Sequence, residues 1–189
     1  SAIQLAKSGF DVIITFHTNK KDAEDVANTI RYLGKKSATL QLDVSKSESF
    51  EGFISNLKET LEKDFSETKI NALVNNAGSA YYAPIVETTE AAFDAMSSIH
   101  LKAPFFLTQK LLPLIKEGGS IVNTSSGLVR FSYPNYAAYA IMKAGIDSLT
   151  RYQALEFGPL KIRVNSMVIN DWGFEFSGKN FWVHFSWKQ

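Results

Sequence analysis

The 189-residue sequence contains no cysteine. Disulfides, thiol nucleophiles and cysteine-based metal sites are therefore excluded, and a cytoplasmic location is the expectation. Charge of either sign is also not in excess. Twenty Lys and Arg face nineteen Asp and Glu, a net charge of +1, so no broad field attracts nucleic acid or an anionic membrane. No apolar run approaches the roughly 20 residues that cross a bilayer, and no secretory leader is visible. With three histidines and no cysteine, no metal site is expected. Repeats, linkers and low-complexity tracts are absent. What remains is ordinary: 45% hydrophobic and 21% charged residues, which predict one globular domain with a substantial core.

Hydrophobic period sets the organisation. "SAIQLAK" follows a helical apolar pattern and Gly9 caps it. "DVIITF", Asp11 to Phe16, is a β-branched run that predicts a buried strand. Strands are also predicted at "SATLQLDV", "INALVN", "GSIVNTSS" and "KIRVNSMV". Helical patterns separate them, including a long one opening at Thr88 with Pro104 inside it, and another from Asn135 to Phe157. Strands alternating with helices of crossover length predict an α/β fold with a doubly wound parallel sheet. "NTS" at Asn123 matches a glycosylation acceptor but follows "SIV" in a predicted buried strand, so it is set aside. The segment from 168 to 189 differs. From Asp171 onward it holds three tryptophans and four phenylalanines with no clean period, and it is expected to be an aberrant or irregular tail behind a domain spanning 1–167.

In doubly wound folds, ligands bind beyond the carboxyl ends of the strands. Three stretches fall there. "NNAG", Asn75 to Gly78, ends one strand, and its glycine permits close backbone approach. "TSS" ends the next, at Ser125 and Ser126. The following helix opens with Tyr139 and Lys143, four residues apart and so on one face. A phenol of pKa about 10 is a poor acid or base at neutral pH, and an adjacent ammonium lowers it toward the useful range. A serine hydroxyl at the neighbouring strand end can hydrogen-bond the reacting oxygen. Tyr32 and Lys36 share the spacing, but Gly34 interrupts them and no serine-tipped strand precedes them, so they read as surface residues.

Taken together, "NNAG", "IVNTSS" ending at Ser126, and Tyr139-Ala-Ile-Met-Lys143 thirteen positions later resemble the short-chain dehydrogenase/reductase family. The resemblance runs from about Ser1 to about Met167. It implies a Rossmann-type fold, a nicotinamide cofactor, and hydride transfer between it and a carbonyl or alcohol. It further implies that Tyr139 gives or takes the proton and that Ser126 orients the substrate oxygen. Lys143 would lower the tyrosine's pKa and hold the nicotinamide ribose. Asp43 and Val44 of "LDV" would lie near the adenine, and Asn76, Ala77 and Gly78 along the cofactor. His100, in "SIHLKAPFF", stands where the family often has an asparagine; its imidazole would relay protons, the alternative being the structural role that a lone histidine on a helix more often has.

Cofactor preference is read at the end of the strand "TFHTNKK". No carboxylate appears there before Asp22, whereas His17, Lys20 and Lys21 do, so a 2′-phosphate meets donors and NADP is favoured over NAD. By the family's pattern, the glycine-rich phosphate loop and first strand belong before Ser1, and substrate-covering helices and a final strand after Val168. The chain is thus expected to be truncated at both ends. Loss of the first strand would leave two inner edges of the sheet unpaired. The alternative function is therefore a non-catalytic fragment, or a nucleotide-binding or interaction module on the same scaffold. Tyr81, Tyr82 and "LVRFSYPNY" are expected to line a substrate pocket with Arg130 at its mouth. The resemblance is also compatible with a homo-oligomer built through the helices at Thr88 and Asn135.

Overall fold

The computed structural model describes residues 2–168 and the backbone of residues 182–186. Helix α1, Ala2–Lys7, precedes strand β1, Asp11–Phe16, and Gly9 turns between them at a φ of 102°. Then come α2 (Lys20–Tyr32), β2 (Ser37–Gln41), α3 (Phe50–Thr60) and β3 (Ile70–Asn75). The second half holds α4 (Glu90–Ser97), α5 (Ala103–Leu111), β4 (Ile115–Ser125), α6 (Ala137–Phe157) and β5 (Arg163–Val168).

β1 and β2, β3 and β4, and β4 and β5 pair in parallel, as the alternating pattern predicts. Side chains alternate between the two faces. Val12, Ile14 and Val74 pack on α1 and α2 through Ala6, Ala23, Ala27 and Ile30. Ile13, Leu73 and Ile121 face the other way, onto Phe50, Phe53 and Leu57 of α3 and Leu107 and Leu111 of α5. Each large side chain so buried stabilises the fold by about 1.5–3 kcal/mol relative to exposure.

The long helix predicted from Thr88 runs on from α4 into α5, but one turn of it is widened. Between α4 and α5 lies a π-helical turn, Ser98–Lys102. Pro104 has no N–H to give to the His100 carbonyl, so the ladder widens and the Ala103 N–H reaches back to the Ser98 carbonyl. The turn carries His100 into the interior, 1% exposed.

The centre of the sheet corrects the expectation of unpaired inner edges. Within the aromatic segment expected to be irregular, Trp182–Ser186 forms a strand, β6. It lies between β1 and β3 and runs antiparallel to both, giving the order β2-β1-β6-β3-β4-β5. Val168 belongs to β5, and the rest of that segment lies outside the described residues.

Candidate active site

Two buried asparagines align the elements that carry the site. Asn75, at the end of β3, donates from Nδ2 to Thr108 Oγ1 of α5 at 3.0 Å and to Asn123 Oδ1 of β4 at 2.8 Å. Asn123 in turn donates to Thr150 Oγ1 and Gln153 Oε1 of α6, both at 2.9 Å. Asn123 is fully buried, in keeping with the reading that set glycosylation aside. One residue further along each strand, Thr124 Oγ1 donates to Asn76 Oδ1 at 3.0 Å. The carboxyl ends of β3 and β4 are thereby fixed to one another, and β4 to the second half of α6.

Ser126, Tyr139 and Lys143 meet at the end of β4. The Ser126 hydroxyl hydrogen-bonds the Tyr139 phenol and accepts the Leu128 N–H at 3.3 Å. The Lys143 Nζ sits 5.6 Å from the centre of the Tyr139 ring and donates to the Thr124 carbonyl at 2.8 Å. Burial lowers the Lys143 pKa to about 8, against the pull of Asp147 one helical turn on. Tyr139 departs from expectation. Burial raises its pKa, the Ser126 bond only partly offsets this, and Tyr136 adds to the rise. Burial thus keeps the phenol protonated in this arrangement instead of letting it be drawn toward phenolate.

His100 stands beside this pair, its ring edge-on to Tyr139 at 5.3 Å between centroids. Its Nε2 lies 2.8 Å from the Ser79 carbonyl oxygen, while its buried Nδ1 has no protein partner. A carbonyl oxygen only accepts, so this shorter contact calls for the proton on Nε2; the Ser79 N–H, 3.4 Å from the same nitrogen, is the weaker approach. Burial first, then the Lys143 charge, lowers the imidazole's pKa to about 4 despite the Ser79 bond, so it is neutral at physiological pH. A Cβ on Gly78 would lie 2.7 Å from His100 Cε1. The glycine of "NNAG" therefore serves close packing of the turn on the imidazole.

The other expected residues gather at the β1–β2 side. His17 Nε2 is 3.3 Å from Asp43 Oδ2, and Lys46 Nζ is 3.7 Å from the same oxygen. Partial burial opposes ionisation of Asp43. The Ser45 hydroxyl and amide, at 2.6 and 3.0 Å, outweigh it together with His17 and Lys46, so its pKa falls below the usual carboxylate range. Val44 is buried in the core. By strand order, His17 at the end of β1 stands about 14 Å, or three strand spacings, from Ser126, and Asp43 beyond β2 about 19 Å, or four. Tyr32, in contrast, is 92% exposed, in line with its reading as a surface residue. Sequence reasoning missed Thr124 and Asp147. Asp147 was discoverable, since it repeats the four-residue step from Tyr139 to Lys143. Thr124 acts through its backbone carbonyl, which no side-chain pattern reveals.

The chain belongs to the short-chain dehydrogenase/reductase family: residues 1–169 match the family profile described as enoyl-(acyl carrier protein) reductase. It is 30% identical over 167 residues to the hydroxynaphthalene reductase-like protein Arp2 of Metarhizium majus, covering 88% of this chain and 60% of that protein. Among solved structures it resembles the landomycin C-6 ketoreductase LanV with bound NADP and rabelomycin, at a TM-score of 0.84 and 30% identity, over 87% of this chain and 67% of that one. It also resembles a short-chain dehydrogenase from Burkholderia cenocepacia in complex with NADP, at 0.77 and 29%, over 87% and 65%. Among the described residues, no helix is long and apolar enough to cross a membrane.

Proposed function

We propose that the protein is an NADP-dependent reductase of a carbonyl-bearing small molecule. The observation that carries this reading is the Ser126–Tyr139 hydrogen bond with Lys143 Nζ 5.6 Å from the phenol ring. The reductase and NADP-bound ketoreductase among its relatives support it.

The donor set fits the cofactor at both ends. At the β1 end stand His17, Lys20 and Lys21, while the Asp43 carboxylate is occupied by its own loop, an arrangement that welcomes a 2′-phosphate. At the other end, the turn of Asn76, Ala77 and Gly78 and the Lys143 ammonium would hold the nicotinamide riboside.

When bound, NADPH supplies the hydride. Ser126 holds the substrate's carbonyl oxygen, and Tyr139 gives that oxygen its Oη proton as charge builds there. The carbonyl carbon has then gained hydride, the oxygen a proton, and the phenolate left on Tyr139 is met by the Ser126 hydroxyl and the Lys143 charge. His100 serves as a positioning residue that pins the Ser79 carbonyl and the Tyr139 ring, because a neutral imidazole of pKa about 4 is a poor proton carrier at neutral pH.

Tyr139→Phe is expected to lower NADPH-dependent turnover by about 10²–10⁴-fold while leaving the calorimetric NADPH affinity nearly unchanged. Lys143→Ala should weaken both. Wild-type turnover in Tyr139→Phe would overturn the proposal.

A further inference from the structure

The loops that flank Ser126 and Tyr139 carry aromatic rings that lie outside the two buried core clusters. Tyr136 caps α6 one turn before Tyr139, near enough for the two phenols to interact. Its ring meets Tyr82 edge to face, with centroids 5.3 Å apart. Tyr82 comes from the loop after β3, and the Ala83 N–H donates to the Asn135 carbonyl at 3.0 Å, which ties that loop to the turn opening α6. Asn135 takes a left-handed φ of 71° between Pro134 and Tyr136, so the turn is conformationally narrow. A second pair, Phe131 and Tyr133, packs edge to face at 6.1 Å in the same connection from β4 to α6. Tyr82 is 64% exposed and Phe131 and Tyr133 nearly half exposed.

Fixed, partly exposed ring pairs are costly as bare surface and suited to a flat partner. An edge-to-face pair presents a ring face for offset stacking, and its phenolic oxygen can bond a hydroxylated edge. A saturated ring of the same outline meets the wall by area alone. Resting on the proposed carbonyl reduction, we infer that the Tyr82–Tyr136 pair forms a specificity subsite for a ketone carried on a fused aromatic ring system. The carbonyl lies at Ser126 and Tyr139, and the ring extends over Tyr136 toward Tyr82.

The test compares 2-tetralone with trans-2-decalone, matched bicyclic ketones that differ in one aromatic ring. Wild-type kcat/KM for 2-tetralone should exceed that for the decalone by about tenfold. Tyr82→Leu and Tyr136→Leu should each cut that ratio several-fold, chiefly through the KM of the aromatic ketone. Binding of 2-naphthol, followed by NMR line broadening with or without NADPH, gives a readout that needs no turnover, and it should weaken in both variants. Equal kcat/KM for the two ketones, or no 2-naphthol binding, overturns the aromatic subsite while leaving the reductase reading intact. Failure to bind NADPH overturns the reductase reading alone, since 2-naphthol still reports on the wall.

Discussion

His100 is where a single residue has the largest consequence for how the protein responds to its medium. Its imidazole is neutral in the folded chain with a pKa of about 4, against an ordinary value of 6.5. The unfolded chain therefore takes up a proton first as pH falls. The stabilisation from burying His100 neutral is fully present above about pH 6.5 and is lost as pH falls toward 4. Between about pH 7 and about pH 5, wild-type protein should lose on the order of 2 kcal/mol more stability than His100→Gln. Urea denaturation across that range measures the difference, and parallel losses in the two proteins would refute the assignment. Lys143 runs the same way at higher pH. Its charge is buried at a cost that persists below about 8 and is relieved as pH rises from there toward 10.5.

At the scale of elements, how much the sequence reveals depends on whether side chains or backbone do the joining. Strand β1 was legible because Val12, Ile13 and Ile14 are β-branched and buried on both faces. Ser126, Tyr139 and Lys143 were legible because a strand end and a helical period place them together. The π-helical turn was only half legible. Pro104 announced a disturbance, but a widened ladder and a single bend share that signal. Least legible was the Asn75–Asn123 network, since each asparagine also reads as a turn residue or a glycosylation acceptor. Four elements hang on Asn123, through Asn75, Thr150 and Gln153. Asn123→Ala would leave three buried groups without that partner, at a cost of about 3 kcal/mol. A shift of the urea midpoint shows the loss. Reduced turnover should accompany it, since β4 and α6 carry the serine and the tyrosine.

For the whole molecule, the decisive feature is β6. The β1–β2 ladder and the β3–β4–β5 ladder are joined in the sheet, among the described residues, only through Trp182–Ser186. Sequence reasoning did not anticipate this, because a dense aromatic run without a period of two gives no strand signal. Deleting residues 182–189 should expose the facing edges of β1 and β3, abolish amide-exchange protection along them, and drive aggregation. Hydrogen exchange read by mass spectrometry would show it, and undiminished protection in β1 and β3 would contradict the pairing.

The position of β6 also orders events in time. Val12 pairs with Phe185, and Ala72 with the same residue, so the middle of the sheet is made of contacts spanning more than a hundred positions. A ribosome delivering this chain releases β1, then β3, long before the segment that joins them. Until Ser186 has cleared the exit tunnel, the two halves can form only as separate, sticky intermediates. Loop closure of that length is slow, and the open strand edges stay prone to wrong pairing until it is complete.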